Sequence, residues 1–241
     1  RWGEMRCLQN SPLLILLVSP LAAADLTLSV EQITRGPQHH FFGYIGHVQN
    51  IAWNADDRYL LSLRTSFQDH LPGPGEPADI VLLDAEKEFS PSLLDQTRAW
   101  NPQQGTMLYW NPAAPATQFF FNDRDPQTGK IFVALYDISA RRRIREYRYD
   151  DASFGNSGVS QAGGYFLGIN YGRLARLRPV TGYPAAFDWT QNHPAPADDG
   201  IFRVEIDSGE KRLLVSYASL AELLQSQNID VSGKHLFINH T

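Results

Sequence analysis

The chain has 241 residues and a formal net charge of −5 at pH 7, with apolar and aromatic residues making up 43% of it. This length is enough for a large hydrophobic core. The acidic balance argues against a nucleic-acid partner, because phosphate backbones attract basic surfaces. A single cysteine excludes a fold stapled by internal disulfides.

The first 24 residues have the pattern of an export signal. Met5 begins a segment with one arginine, a short apolar run, and small residues at Ala22 and Ala24. A buried N-terminal helix is the alternative, and the two prolines that bracket the apolar run argue against it. The residues before Met5 are interpreted as upstream sequence. We therefore expect a periplasmic or secreted protein in which residues 1–24 are upstream sequence and signal peptide and residues 25–241 are the mature domain.

Loss of that segment would remove two arginines and one glutamate and leave a net charge of −6. The apolar run is too short to cross a bilayer of ~30 Å, which needs about 20 residues. After removal of the signal we therefore expect no membrane span and no nucleic-acid partner. The sequence does not indicate an oligomeric state.

A pattern of short strands recurs three times after residue 49. Each copy has a strand ending in a turn, an apolar strand, a loop, and a second apolar strand that ends near an aspartate. The copies begin with NIAWNADDRYLLSL, TMLYWNPAAPATQFFFND and GVSQAGGYFLGIN. The matched positions are Asp84, Asp137 and Asp207 at one turn, and Trp53-Asn54 and Trp110-Asn111 at another.

Four short strands in a period of about 50–70 residues are the size of one β-propeller blade with inserted loops. The sequence therefore predicts an all-β fold, a β-propeller with four-stranded blades, and the alternative is a β-sandwich of unrelated hairpins. Three blades are visible, and a fourth set of strands begins near Lys234. Because propellers close with at least four blades, we expect residues 25–241 to be a partial domain of a propeller with about six to eight blades.

Two local patterns stand apart from the repeat. Ser219 and Glu222 have the spacing of a capping box, and three following leucines would give that helix an apolar side. The basic run over residues 141–145 is interpreted as a solvated hairpin strand.

Strand parity predicts which loops lie together. In an up-and-down blade, the segment leading into the first strand shares one face with the loop between the second and third strands. Long loops on one face of a rigid scaffold are the usual location of binding sites. This face is predicted to collect all the histidines, His39, His40, His47, His70, His193, His235 and His240, together with Arg98, Gln103, Gln104, Arg124 and Arg173.

Some of these residues should approach the central channel. His39 or His40, Gln103 or Gln104, and His240 each precede a predicted innermost strand. Neutral imidazoles and an amide oxygen suit a borderline divalent ion such as Mn²⁺. The histidine pair by itself equally suits an ordinary polar loop.

The long loop after residue 171 carries three aromatic residues, Tyr183, Phe187 and Trp189. They could stack on sugar rings or cover an apolar patch of the blade, and the sequence leaves both interpretations open.

The chain lacks the nucleophile elbow G-x-S-x-G, the phosphate-binding loop and the dinucleotide fingerprint.

Four segments carry a resemblance to a known family, and they are GPQHHFFGYIG, AWNADDRYLL, TRAWNPQQGTMLYW and the terminal FINHT. They resemble the oligogalacturonate-lyase-like group of secreted bacterial β-propellers, over most of residues 35–241. The characterised lyases of that group are seven-bladed, bind Mn²⁺ through three histidines and a glutamine, and cleave short pectic oligomers by β-elimination. By this resemblance Gln104 and His240 are expected as metal ligands, with His39 or His40 in the substrate cleft. The closely spaced histidine pair that the group carries in a late blade is not in this chain.

Two functions from different classes remain. The first is a polysaccharide lyase acting on uronate oligosaccharides, in which a metal ion or an arginine neutralises the substrate carboxylate and a base removes the proton at C5. Candidates for the arginine are Arg98, Arg124 and Arg173, and the base would be His39 or His40. The second is a non-catalytic envelope propeller that binds a glycan or a protein.

Overall fold

The computed structural model describes residues 27–43, 51–239 and 241. The predicted export signal, His47 and His240 lie outside these residues. The described residues from Ile33 onward belong to one compact unit. Within the described part of the chain, twelve strands form three four-stranded antiparallel sheets, each in chain order. The predicted all-β fold with four-stranded blades is confirmed.

The three sheets are called blades 1 to 3. Blade 1 contains β1 (His39–Phe41), β2 (Tyr59–Thr65), β3 (Ala78–Asp84) and β4 (Ser90–Thr97). Blade 2 contains β5 (Tyr109–Trp110), β6 (Gln118–Arg124), β7 (Ile131–Asp137) and β8 (Arg142–Tyr147). Blade 3 contains β9 (Gly155–Val159), β10 (Tyr165–Ile169), β11 (Gly200–Glu205) and β12 (Lys211–Ser216). Two helices follow strands of blade 3, α1 (Tyr171–Leu177) after β10 and α2 (Tyr217–Ser226) after β12.

Blade 2 is packed on both faces, and this makes the three sheets consecutive blades of a propeller. Side chains alternate across a strand, so neighbouring residues of β6 point to opposite sides of the sheet. Phe119 and Phe121 lie in the core between blades 1 and 2, and Phe120 lies in the core between blades 2 and 3. All three are fully buried. A strand buried on both faces is expected to be apolar throughout, as the Phe119–Phe121 run is.

The innermost strand of blade 1 is interrupted, which the sequence did not predict. His39 and His40 were predicted to precede this strand, but they form its first residues in β1. Phe41 pairs with Leu63 of β2, and the Ala52 carbonyl accepts a hydrogen bond from Leu61 N (3.0 Å). Two stretches separated by ten residues in the sequence therefore both pair with β2.

The repeated turns match in the structure with one correction. Asn54 N donates to Tyr59 O and Asn111 N donates to Gln118 O, each at 2.8 Å, so the two predicted asparagine turns are equivalent. Asp84 pairs with the first residue of β2, and Asp137 with the first residue of β6. In blade 3, the residue that pairs with the first residue of β10 is Glu205. Asp207 lies two residues further along, inside the turn between β11 and β12.

The late helix begins earlier than the sequence predicted. Ser216 is its N-cap, and the Ser216 side chain accepts a hydrogen bond from Ser219 N at 3.0 Å. The predicted capping box at Ser219 and Glu222 is therefore wrong, because Ser219 already lies in the first turn of α2. Its hydroxyl donates back to Ser216 O (2.8 Å). Serine at either position is compatible with a helix start, and the pairing of β12 decides between them.

Polar side chains fix the blades to one another. Asn122 at the end of β6 accepts a hydrogen bond from Asn156 N (2.7 Å) and donates to Asn156 O (3.0 Å) in blade 3. Arg143 on β8 forms ion pairs with Asp95 of blade 1 (2.8 Å) and with Asp123 of its own blade (2.9 Å). The run over residues 141–145 thus lies largely in a hairpin strand, and three of its arginines also join blades: Arg141 and Arg143 contact blade 1, and Arg145 donates to Ile206 O of blade 3 (2.7 Å).

Asn122→Ala is expected to destabilise the protein by about 2–4 kcal/mol, because Asn156 N–H would lose its buried acceptor. Urea unfolding followed by circular dichroism measures this change. Tyr183→Phe is the matched control, since it removes only the hydroxyl that Asn122 Nδ2 also contacts at 2.9 Å. A loss for Asn122→Ala no larger than for the control would contradict this role of Asn122.

Candidate functional site

Because neighbouring strands are antiparallel, successive connections alternate between the two faces of the three blades. The loop face carries the connections over residues 66–77, 98–108, 125–130, 148–154 and 170–199. The turn face carries the short turns over residues 54–58, 85–89, 111–117, 138–141, 160–164 and 206–210. The predicted grouping of long loops on one face follows from this order, with Asp56 and Asp207 on the other.

Three polar side chains lie where successive innermost strands meet the loop face. The first residue of β1 pairs with the last of β2, and the first of β9 with the last of β10. His40 and Asn156, the second residues of these strands, therefore occupy equivalent positions in blades 1 and 3. Gln104 lies just before the innermost strand of blade 2, in a turn where its N–H donates to Asn101 Oδ1 at 2.7 Å.

A close backbone approach holds the Gln104 turn against blade 1. A Cβ on Gly43 would lie 2.5 Å from Gln104 O, and a Cβ on Gly105 would lie 2.5 Å from Phe42 O. Both glycines have positive φ, 113° at Gly43 and 62° at Gly105. Only glycine gives this contact without strain. The two segments are the ones that carry the histidine pair and the glutamine pair.

Buried polar atoms without partners mark this region. Within the described residues, Gln104 Oε1, Asn156 Oδ1 and both ring nitrogens of His40 are enclosed and make no hydrogen bond. Burial, helped by the nearby positive charge of Arg64 and opposed by a weak contact with the Gln38 backbone, lowers the pKa of His40 below its ordinary value. The ring is therefore neutral at pH 7, which is the form that binds metals or accepts a proton.

The predicted manganese site falls partly within the described residues. The free amide oxygen of Gln104 fits a cation ligand, and so does a neutral His40 ring. His240, the other predicted ligand, is outside the described residues. Across residues 27–43, 51–239 and 241, no three His, Cys, Asp or Glu side chains are grouped closely enough to hold a metal ion.

The three predicted arginines differ in what they contact. Arg173 is fully buried, and its guanidinium donates to carbonyl oxygens that include Leu236 O (2.6 Å) and His193 O (3.0 Å). Arg124 is also buried and donates to Pro74 O at 2.9 Å. Arg98 is half-buried, and its guanidinium makes no hydrogen bond or ion pair with any described residue.

The loop aromatics divide between the two interpretations that the sequence left open. Tyr183 is fully buried and stacks on Tyr171, with ring centroids 4.2 Å apart. Trp189 packs on the core between blades 2 and 3. Phe187 is 41% exposed and remains accessible to a ligand. Covering the blade is therefore the role of two of the three rings.

A cleft of about 580 Å³ opens on the loop face beside Phe187. Leu71 and Pro72 of blade 1 form one wall, and residues 172–191, with α1, form the other. Arg176 lines the cleft and is held by Asp188 Oδ2 at 3.0 Å. The cleft combines an exposed ring with an arginine whose charge is balanced by Asp188, which also lines the cleft.

The wall from blade 1 is stabilised by an ion-paired histidine. His70 Nδ1 lies 2.8 Å from Asp69 Oδ1, and His70 Nε2 lies 3.3 Å from Glu76 Oε2. Hydrogen bonds to these two carboxylates raise the pKa of His70. The ring also stacks on Phe67, with centroids 4.0 Å apart. His70 therefore holds its own loop together.

A polar network below the long loop was not predicted from the sequence. Asp199 is fully buried and accepts hydrogen bonds from Asn170 Nδ2 (2.8 Å), Thr190 Oγ1 (2.7 Å) and Gly200 N (2.7 Å). The same Asn170 amide also donates to Asp188 at 3.0 Å. Burial raises the pKa of Asp199 to about 6. Single aspartates in a loop carry no sequence signal for such a network.

Comparisons with known proteins give no family for this chain. No family model matches it, and no curated protein matches it. No helix among the described residues is long and apolar enough to cross a membrane.

Solved structures show distant similarities. TolB from Acinetobacter baumannii aligns with a TM-score of 0.43 at 11% identity, covering 76% of this chain and 34% of that one. A putative TolB from Agrobacterium tumefaciens aligns at 0.40 and 15% identity, covering 69% and 50%. A putative dipeptidyl aminopeptidase IV from Bacteroides ovatus aligns at 0.41 and 14% identity, covering 71% and 22%. The chain therefore spans half or less of each of these proteins, and at these scores the similarities carry no argument about function.

The raised pKa of Asp199 predicts how stability depends on pH. Between the unfolded pKa of about 3.8 and the folded pKa of about 6 the native state binds more protons, so stability falls as pH rises. This group alone should remove about 1 kcal/mol between pH 5 and pH 7. In Asp199→Asn, this part of the fall in stability between pH 5 and pH 7 should be absent. Chemical denaturation at the two pH values measures the free energy of unfolding. An unchanged difference between the two values in the variant would contradict the assignment.

Proposed function

We propose that the loop face binds a uronate-containing oligosaccharide and that the protein cleaves it by metal-assisted β-elimination. The observation that supports this most is the set of enclosed polar atoms without partners at His40 and Gln104. Buried polar groups nearly always have a hydrogen-bond partner, so such atoms point to a bound group. Together they can supply neutral nitrogen and oxygen atoms, which a metal or a substrate hydroxyl would use.

The reaction assigns a task to each of these side chains. A base takes the proton from C5 of the uronate, the C–H electron pair forms the C4–C5 double bond, and the C4–O bond breaks. The departing oxygen then receives a proton. His40 or His39 is the proposed base, since a neutral imidazole can take a proton near pH 7. Gln104 and His240 are the proposed metal ligands, and a bound Mn²⁺ would neutralise the substrate carboxylate and acidify the C5 proton.

Among the three arginines, Arg98 is the best candidate to contact a substrate carboxylate. Its guanidinium has no partner within the described residues, whereas those of Arg124 and Arg173 already donate to backbone carbonyls. An arginine that leaves carbonyl oxygens to bind substrate would leave those carbonyls unpaired, which costs about 1–3 kcal/mol each. Arg124 and Arg173 are therefore proposed to support the loops rather than the chemistry.

The second candidate function is glycan binding without cleavage. The loop-face cleft favours it, because Phe187 can stack on a sugar ring while Arg176 donates to a sugar hydroxyl from the guanidinium nitrogens that Asp188 does not hold. A periplasmic or secreted location is part of both proposals and rests on the export pattern in residues 1–24.

Gln104→Leu should weaken Mn²⁺ binding at least about tenfold, because one ligand worth more than 1.4 kcal/mol is lost. Isothermal titration with Mn²⁺ measures this, and electron paramagnetic resonance reports the free ion. Gln103→Leu is the matched control, since Gln103 is exposed and lies one residue away. Equal affinity in both variants would contradict the ligand role of Gln104.

Incubation of the full-length protein with trigalacturonate separates the two functions. A lyase should release an unsaturated product that absorbs in the ultraviolet, and chelation of the metal should abolish that signal. Binding of trigalacturonate without such a product would support the non-catalytic function. No binding by the full-length protein would contradict both.

A further inference from the structure

A second pocket lies on the turn face, away from the loop-face site. It has a volume of about 300 Å³ and is formed where the innermost turns of all three blades meet. Its apolar walls are Trp53 from blade 1, Tyr109, Trp110 and Pro115 from blade 2, and the stem of Gln161 from blade 3. An apolar pocket with a few polar groups at its rim is the usual form of a small-ligand site.

Most donors around this pocket are already used within the protein. The indole N–H of Trp110 donates to Ala52 O at 2.9 Å. The Asn54 amide donates to Ala116 O at 3.1 Å, and Ala55 N donates to Pro115 O at 3.1 Å. The Gln161 amide donates to the Tyr109 hydroxyl. Within the described residues, the Trp53 indole N–H and the second N–H of the exposed Gln161 amide are the side-chain donors that make no hydrogen bond.

Acceptors, in contrast, remain open. Gln161 Oε1 has no partner within the described residues, and neither does the carboxylate of Asp57, which is the charged side chain lining the pocket. Asp56 next to it is also exposed and unpaired. Arg58, the next residue in the chain, is held by Asp84 at 3.1 Å and Glu86 at 3.0 Å. Among the residues that the structure describes, the rim is therefore negative and has no free cation.

The donors, acceptors and charge around the pocket indicate which class of ligand it would bind. A uronate or any other anion would meet a carboxylate and no free positive charge. A neutral sugar would leave the charge of the Asp57 carboxylate without a partner. An alkylammonium group supplies the missing donors and positive charge, while its hydrocarbon part fits between aromatic rings, which also attract cations.

We propose that the turn-face pocket binds a primary alkylammonium group, with the alkyl part between Trp53 and Trp110 and the ammonium at Asp57. The group could belong to a free amine or to a lysine side chain of a partner, since both present the same chemistry. The site is separate from the proposed uronate site and does not depend on it.

Two of the five tryptophans line the pocket, so intrinsic fluorescence reports its occupancy. The probes are n-butylammonium, n-butanol and valerate, which share a short alkyl chain and differ in charge. The cation should bind at least about tenfold more tightly than the neutral alcohol, and valerate should bind weakest. Capped lysine, Nα-acetyl-lysine N-methylamide, is compared with n-butylammonium. Similar affinity indicates a lysine side chain as the ligand, and binding of n-butylammonium alone indicates a free amine.

A matched pair of variants isolates the role of Asp57. Asp57 has a left-handed φ of 53°, which asparagine tolerates, so Asp57→Asn should keep the turn. It should reduce the preference for the cation over the alcohol to about twofold or less. Asp56→Asn changes the net charge equally, and Asp56 does not line the pocket, so that variant should keep most of the preference. Equal binding of cation and alcohol to the wild-type chain, or equal effects of the two variants, would overturn the proposal.

Discussion

The structure depends on the burial of each blade between its neighbours. A four-stranded sheet with apolar side chains on both faces is stable only when another layer covers each face. Blade 2 satisfies this requirement through Phe119 and Phe121 on one side and Phe120 on the other. The stacking fixes the angle and register of the blades, and so it decides which turns and loops meet at each end of the sheets.

The stacking of the blades also explains why the loop face and the turn face differ chemically. On the loop face, long insertions bring in histidines, arginines and amides, and some of them are enclosed without partners, as His40 and Gln104 are. On the turn face the connections are short, and the aromatic residues before the asparagine turns, Trp53 and Trp110, form a pocket with a negative rim. We propose a metal ion and an anionic substrate for the first face and a cation for the second.

Several features of the fold could be read from the sequence because they depend on local patterns. The alternation of apolar residues gave three copies of a four-stranded unit, and the matched Asn54 and Asn111 turns are equivalent in the structure. Local patterns failed where pairing partners decide the outcome. β12 places the start of α2 at Ser216 instead of Ser219, and pairing with β2 draws His39 and His40 into a strand.

The sequence by itself determined the all-β blades, the alternation of long loops and short turns, and the set of polar side chains gathered on the loop face. These follow from periodicity and strand parity, which need no knowledge of distant contacts. Only the tertiary structure decided how each side chain is used. Arg173 in α1, Arg124 at the end of β6 and Arg98 after β4 all belong to the loop face. Neighbouring carbonyls nevertheless occupy the guanidinium groups of the first two and leave that of Arg98 open. Burial of Asp199 and enclosure of the Trp53–Trp110 pocket likewise depend on segments far apart in the chain, which meet only when the blades stack.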